Sequence, residues 1–175
     1  MLNKKFIPGI LFIGLSIIHF SCEYKTPYEK MTDSKDGAMI YIAKANNGVQ
    51  NLNLTAGAAE RTLKFGVGFG AMGFPSGDII VTLVNDKNII DSLNGIQTDL
   101  GLELYKTFPE NAFKIDRLSL TIPRGGLSSN LVTVTYFPDK FEKTSNYLMA
   151  LTISDASSYR VNPATKTLLI AAPKH

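Results

Sequence analysis

From Met39 onward the chain breaks into short runs in which apolar residues recur at every second position. That period suits a strand with one covered face and defeats an amphipathic helix. Leu63, Phe65, Val67 and Phe69 alternate with Lys64, Gly66 and Gly68, and Leu118, Leu120 and Ile122 alternate with Ser119 and Thr121. Val132, Val134 and Tyr136 alternate with Thr133 and Thr135. Met39 to Ala43, Val49 to Thr55, Tyr147 to Ile153 and Leu168 to Ala172 read as further strands. Ile79 to Val84 is almost wholly apolar, the pattern of a strand covered on both faces. Helix is confined to short stretches at Lys87 to Leu93 and Pro109 to Ala112. About eight strands at this spacing predict an all-β fold, an immunoglobulin-like antiparallel β-sandwich following an N-terminal signal helix.

The first residues follow different rules. Lys4 and Lys5 precede an uncharged apolar run from Phe6 to Phe20, broken by Pro8 and Gly9 and ending at Ser21 and Cys22. It is shorter than the roughly 20 residues of a spanning helix and has the layout of an export signal. Cys22 is the only cysteine, so no intrachain disulfide can form. Its position resembles a bacterial lipobox, with Ser21 as the small preceding residue, although His19 and Phe20 depart from the usual pattern. The expected organisation is a signal peptide over 1–21, a polar tether over 22–37 and a sandwich domain over 38–173. Lipid on Cys22 would hold the chain at the outer membrane, facing the cell surface or the periplasm. A diacylated cysteine stays anchored where one acyl chain would not.

Composition removes several function classes. Taking 21 residues from 175 leaves 154, with 16 basic and 15 acidic side chains once Lys4 and Lys5 are gone. No domain-wide positive charge remains to recruit nucleic acid. Only His175 survives cleavage, so a serine or cysteine nucleophile has no imidazole base, and metal sites built on imidazole or thiolate have no ligands. No cofactor or metal is expected. Gly68, Gly70 and Gly73 spell G-x-G-x-x-G, but Phe74, Pro75, Ser76 and Gly77 follow and start no helix. A strand running into a loop explains them better than a phosphate cradle does. The carboxylates Asp78, Asp86, Asp91, Asp99, Glu103, Glu110, Asp116 and Asp139 show no paired spacing and read as turn and loop residues.

The order of the strands resembles the DUF1735 domain, also called the BT_3987-like N-terminal domain, of Bacteroidetes lipoproteins. The resemblance rests on Gly77 to Leu83 with Asp86, on Tyr105 to Phe113, on Leu118 to Asn130, and on the closing strands Tyr147 to Ile153 and Leu168 to Ile170. Phe108 and Phe113 stand where Leu and Tyr are commoner in the family. The resemblance implies a cell-surface lipoprotein linked to glycan use, in which a catalytic or carbohydrate-binding second domain often follows.

The function expected is that of a non-catalytic accessory lipoprotein in glycan binding or uptake. Its partners would be the membrane, through the acyl anchor, and a glycan or an outer-membrane uptake complex. The alternatives are a subunit of a surface complex or filament and, third, a glycoside hydrolase. Trp is absent, so sugar stacking would fall to rings near loops: Phe74, Phe108, Phe137, Phe141 and Tyr159. Phe74 and Tyr159 are the candidate ligand contacts. Asp91, Ser92 and Leu93 resemble a Bacteroidetes O-glycosylation signal, with Ser92 as the acceptor.

Overall fold

The computed structural model describes residues 37–55 and 59–175. The expected signal peptide, Cys22 and nearly all of the tether lie outside the described residues. No helix among the described residues is long and apolar enough to cross a membrane.

Alternation builds the strands. β1 (Met39–Ile42), β4 (Val67–Gly70) and β11 (Arg160–Val161) form one three-stranded sheet, in the order β11-β1-β4. β3 (Arg61–Phe65), β9 (Val132–Tyr136) and β7 (Phe113–Ile115) form a second, in the order β3-β9-β7. The largest sheet runs β2-β12-β10-β5-β8, from Gln50–Asn51 through Thr167–Ala172, Asn146–Asp155 and Ile79–Asn85 to Ser119–Ile122. β6 (Tyr105–Thr107) adds to β10 in parallel at residues 146–148. Antiparallel pairing dominates, as expected; β1–β11, β2–β12 and β6–β10 are short parallel additions.

Inward side chains from all three sheets make one continuous core, including Ile40, Ile42, Phe65, Val67, Leu120, Val134, Leu151 and Ile170. Each fully buried aliphatic side chain contributes about 1.5–3 kcal/mol. The chain is an all-β sandwich.

Three local expectations change. The run from Thr62 to Phe69 is two strands, because the chain passes from one sheet to another at Gly66. A Cβ there would lie 3.2 Å from Ser129 Oγ and 3.3 Å from Leu131 Cδ2, so the crossing is too tight for an unadjusted side chain. β5 is covered on one face only: Ile79, Val81 and Leu83 are buried, while Ile80 is 52 % exposed. The strand buried on both faces is β10, because the helix α1 (Lys87–Asp99) lies over its outer side through Ile90, Leu93 and Leu148.

α1 also runs one and a half turns past the stretch expected. Asp86 caps it by accepting from the Asn88 amide. Asn94 then ties it to β6, its side-chain amide donating to the Tyr105 carbonyl and its Oδ1 accepting from the Tyr105 amide, both at 2.8 Å. These contacts with a distant strand carry the helix through Asn94 and Gly95, which are poor helix formers.

Candidate functional site

β1 sends Ile40 and Ile42 inward and leaves Met39 and Tyr41 on its outer face. The antiparallel register sets Tyr41 opposite Gly68 and Met39 opposite Gly70. A Cβ on Gly68 would lie 2.6 Å from Tyr41 Cζ, and one on Gly70 would lie 3.4 Å from Tyr41 Cε1. The phenol ring therefore rests on bare backbone, half-buried, where any other residue at 68 would push it away. This supplies the physical reason for Gly68, the first glycine of the G-x-G-x-x-G run, while Gly70 beside it in β4 would meet the ring only in ordinary contact.

Two shallow concavities border that ring. One, of about 300 Å³, is lined by Met39, Asn46, Asn162 and Thr165 together with Gly37 and Gly70. The Asn162 backbone N–H donates to the Ile40 carbonyl and its Oδ1 accepts from the Ala164 amide, which leaves the side-chain NH₂ group uncommitted among the described residues. The Thr165 carbonyl accepts from Ile42 and its amide donates to Asn162. Its buried hydroxyl has no partner among the described residues, although a buried polar atom left unpaired costs about 1–3 kcal/mol.

The other concavity, of about 230 Å³, is mostly apolar. Ala43, Val67, Leu127 and Leu131 line it beside Gly66, Gly68 and two serines. Residues 127–129 pair along the open edge of β4: the Phe69 amide donates to Leu127 and the Ser129 amide to Val67. The Ser129 hydroxyl accepts from the Val67 amide and donates to the Asn130 carbonyl, so it is already committed. Among the described residues, neither concavity is lined by an acidic, basic or imidazole side chain. The surface is an uncharged groove with a fixed ring at its centre, a polar end and an apolar end.

The residues singled out from sequence are dispersed. Phe74 lies on the loop between β4 and β5, with its side chain 52 % exposed. Tyr159 is half-buried, packed on the core edge-to-face with Phe69 at 5.7 Å. Its loop is held by Ser157, whose hydroxyl accepts from the Ile80 amide and donates to the Ile80 carbonyl. Ser157 and Ser158 both adopt positive φ, 50° and 70°, which costs non-glycine residues about 1–2 kcal/mol each.

Phe108 and Phe141 are buried, and Phe137 lies under the Lys114 ammonium at 5.7 Å. Ser92 is exposed on α1, its hydroxyl donating to the Asn88 carbonyl. Tyr41 was not among the rings chosen from sequence, because it sits within a strand and its partner glycines are distant in the chain.

Several carboxylates occupy turn and cap positions. Asp78 accepts from the Arg124 amide, Asp86 caps α1, and Asp155 accepts from the Ser157 amide. Glu103 pairs with Lys174 and Glu142 with Lys106, both at the surface. Among the described residues, no three His, Cys, Asp or Glu side chains come close enough to hold a metal.

Asp116 accepts from the Thr133 amide, and that bond, helped by Arg117, holds its carboxyl below the usual carboxylate range. A folded pKa below the unfolded one means that the native state binds fewer protons. The stabilisation is therefore present above the unfolded value of about 3.9 and disappears as pH falls through the folded value. Asp116→Asn should flatten the acid limb of a plot of Tm against pH, and an unchanged limb would count against this assignment.

A family model for an N-terminal domain matches residues 31–160, most of the chain. The chain belongs to the DUF1735 family. A multidomain Bacteroides ovatus protein that includes DUF1735 superposes with TM-score 0.60 at 17 % identity, over 75 % of this chain and 43 % of that one. A provisional carbohydrate-binding protein from the same species gives 0.61 at 13 % identity, over 78 % and 37 %. Bacteroides thetaiotaomicron EndoBT-3987, solved with a Man5GlcNAc product, gives 0.55 at 15 % identity, over 77 % and 30 %. The DUF1735 chain thus spans less than half of each of these structures, and at such identities the likeness concerns the fold. No curated protein matches it.

Proposed function

We propose that this DUF1735 protein is a non-catalytic accessory lipoprotein, anchored through Cys22 at the outer-membrane surface, that binds a glycan through the outer face of β1 and β4. The observation that carries the reading is the Tyr41 ring, seated on Gly68 and flanked by the side-chain amides of Asn46 and Asn162. A sugar presents an apolar face edged by hydroxyls, and a fixed ring beside hydrogen-bonding groups complements both parts. The similar solved structures include a provisional carbohydrate-binding protein and a glycan-processing enzyme, in keeping with work on glycans. Phe74, exposed on its loop, and Tyr159 are the further candidate contacts, and Ser92 is the candidate glycosylated position.

A glycan array probed with the full chain tests the reading. Retention of at least one glycan is expected, with about a tenfold loss on Tyr41→Ala, the upper end of what one ring contact supplies. Phe74→Ala and Tyr159→Ala read out the loop contacts in parallel. An array on which the folded protein retains nothing would remove the glycan reading. In cells, Cys22→Ser should move the protein from the membrane to the soluble fraction, and continued membrane retention would remove the anchor.

A second reading, a subunit of a surface complex or filament, draws on a different face. Ile96, Leu100, Leu102 and Leu104 are each more than half exposed around the C-terminal end of α1. A group of exposed apolar side chains at one end of a helix suits a contact site. Co-purification of a protein partner, lost on Leu100→Ser, together with silence on the array would favour it. Glycoside hydrolysis is the third reading, and turnover of any glycan by the purified chain would establish it.

A further inference from the structure

The two concavities beside Tyr41 differ in chemistry, and the difference restricts what can lie across them. Ligand pockets commonly run to about 300–1,000 Å³. Spaces of about 300 Å³ and 230 Å³ therefore suit one sugar ring each rather than a folded-back oligosaccharide. The polar space offers the Asn162 amide and Asn46, which suit hydroxyls. The opposite space is walled by Leu127 and Leu131, 48 % and 54 % exposed, with Val67 buried beneath, Ala43 exposed alongside, the Ser129 hydroxyl already committed and the Ser128 hydroxyl as its remaining serine group. A hydroxymethyl group set between the two leucines would lose water with only the Ser128 hydroxyl to replace it. A methyl group would gain from burial. Among the described residues no cation lines either side, so a uronate or sulfate would be desolvated there without a counter-charge.

We propose that the groove selects a neutral glycan of at least two residues, one sugar on the Asn162 side of Tyr41 and its neighbour directing a methyl group between Leu127 and Leu131. The methyl comes from an acetamido group or from a 6-deoxy sugar. This rests on the glycan reading above and specifies the ligand class of the same site.

The test uses the full chain on an array of matched oligosaccharide pairs. One set of pairs differs only by hydroxyl against acetamido at C2, a second only by hydroxymethyl against methyl at C5, and uronate-bearing analogues form a third arm. The methyl-bearing member of at least one set should bind about fourfold or more tightly, through an added buried methyl in the acetamido set or through a hydroxyl that no longer has to be desolvated in the C5 set; which set responds identifies the source of the methyl. The double variant Leu127→Asn with Leu131→Asn, checked for native circular dichroism, should erase that preference and keep binding of the plain sugars.

Equal binding within every pair, preference for uronates, or a preference that survives the double variant would overturn the inference while leaving the glycan reading standing. Glycan retention indifferent to Tyr41→Ala would overturn this site and likewise leave glycan binding by another surface. Retention of nothing would overturn both.

Discussion

Gly68→Ala should abolish most glycan retention, about tenfold, while the chain still carries every side chain of the proposed site. The added methyl would stand 2.6 Å from Tyr41 Cζ and 2.7 Å from its hydroxyl oxygen. Carbon atoms at optimal contact are about 3.5–4.0 Å apart. The backbone at 68 lies in a strand that accepts alanine, and alanine also restricts the unfolded chain, worth about 0.4–1 kcal/mol in favour of folding. The conflict is thus confined to the ring, which must swing off the sheet. Overpacking of this sort costs about 1–3 kcal/mol when it is absorbed inside a core. Here one side of the ring faces outward and can yield, so the stability loss should lie at the low end. Urea unfolding and array retention measured on the same sample separate the two effects. Wild-type retention by Gly68→Ala would show that the position of the Tyr41 ring is immaterial to binding.

Phe141→Ala should cause the largest stability loss, about 3–5 kcal/mol. Phe141 is 4 % exposed and meets Phe108 at 5.0 Å and Tyr147 at 5.4 Å, both edge-to-face. Phe108 in turn meets Phe113 at 6.0 Å. The four rings form a ladder that joins the segment before β7 to the start of β10, and removing Phe141 breaks it in the middle. Domains of this size hold about 5–15 kcal/mol in total, so the variant should fold with a much lower urea midpoint and an unchanged slope. Phe74→Ala, at an exposed loop position, should stay within about 0.5 kcal/mol of wild type. A Phe141→Ala midpoint as high as that of Phe74→Ala would refute the ladder as a structural support.

The contrast between these rings shows what could be read in the chain. Loop proximity grouped Phe74, Phe108, Phe137, Phe141 and Tyr159 and put Phe74 and Tyr159 first, yet burial separates them, with Phe108 and Phe141 inside, Phe137 and Tyr159 half-buried and Phe74 exposed. Tyr41 went unnoticed because alternation places it on the outer face of β1 but does not say what lies opposite. Gly68 and Gly70 attracted attention as a phosphate-loop pattern, which Phe74 and Pro75 argued against. Their use became visible only when β1 and β4 were paired. The extension of α1 through Asn94 and Gly95 was hidden for a similar reason, since local propensity disfavours it and a hydrogen-bonded tie to Tyr105 sustains it.

Alternating side chains and turn residues determined that this chain makes an all-β sandwich, because the two-residue period of a strand is a local property written at every position, and the order of the runs carried the resemblance to DUF1735. Only the tertiary structure decided that the strand broken at Gly66 serves two sheets, that α1 covers β10, and that Tyr41 lies on Gly68 between a polar and an apolar hollow. Those facts depend on register between segments far apart in the chain. Register is set by how the whole core packs, and no single segment carries it.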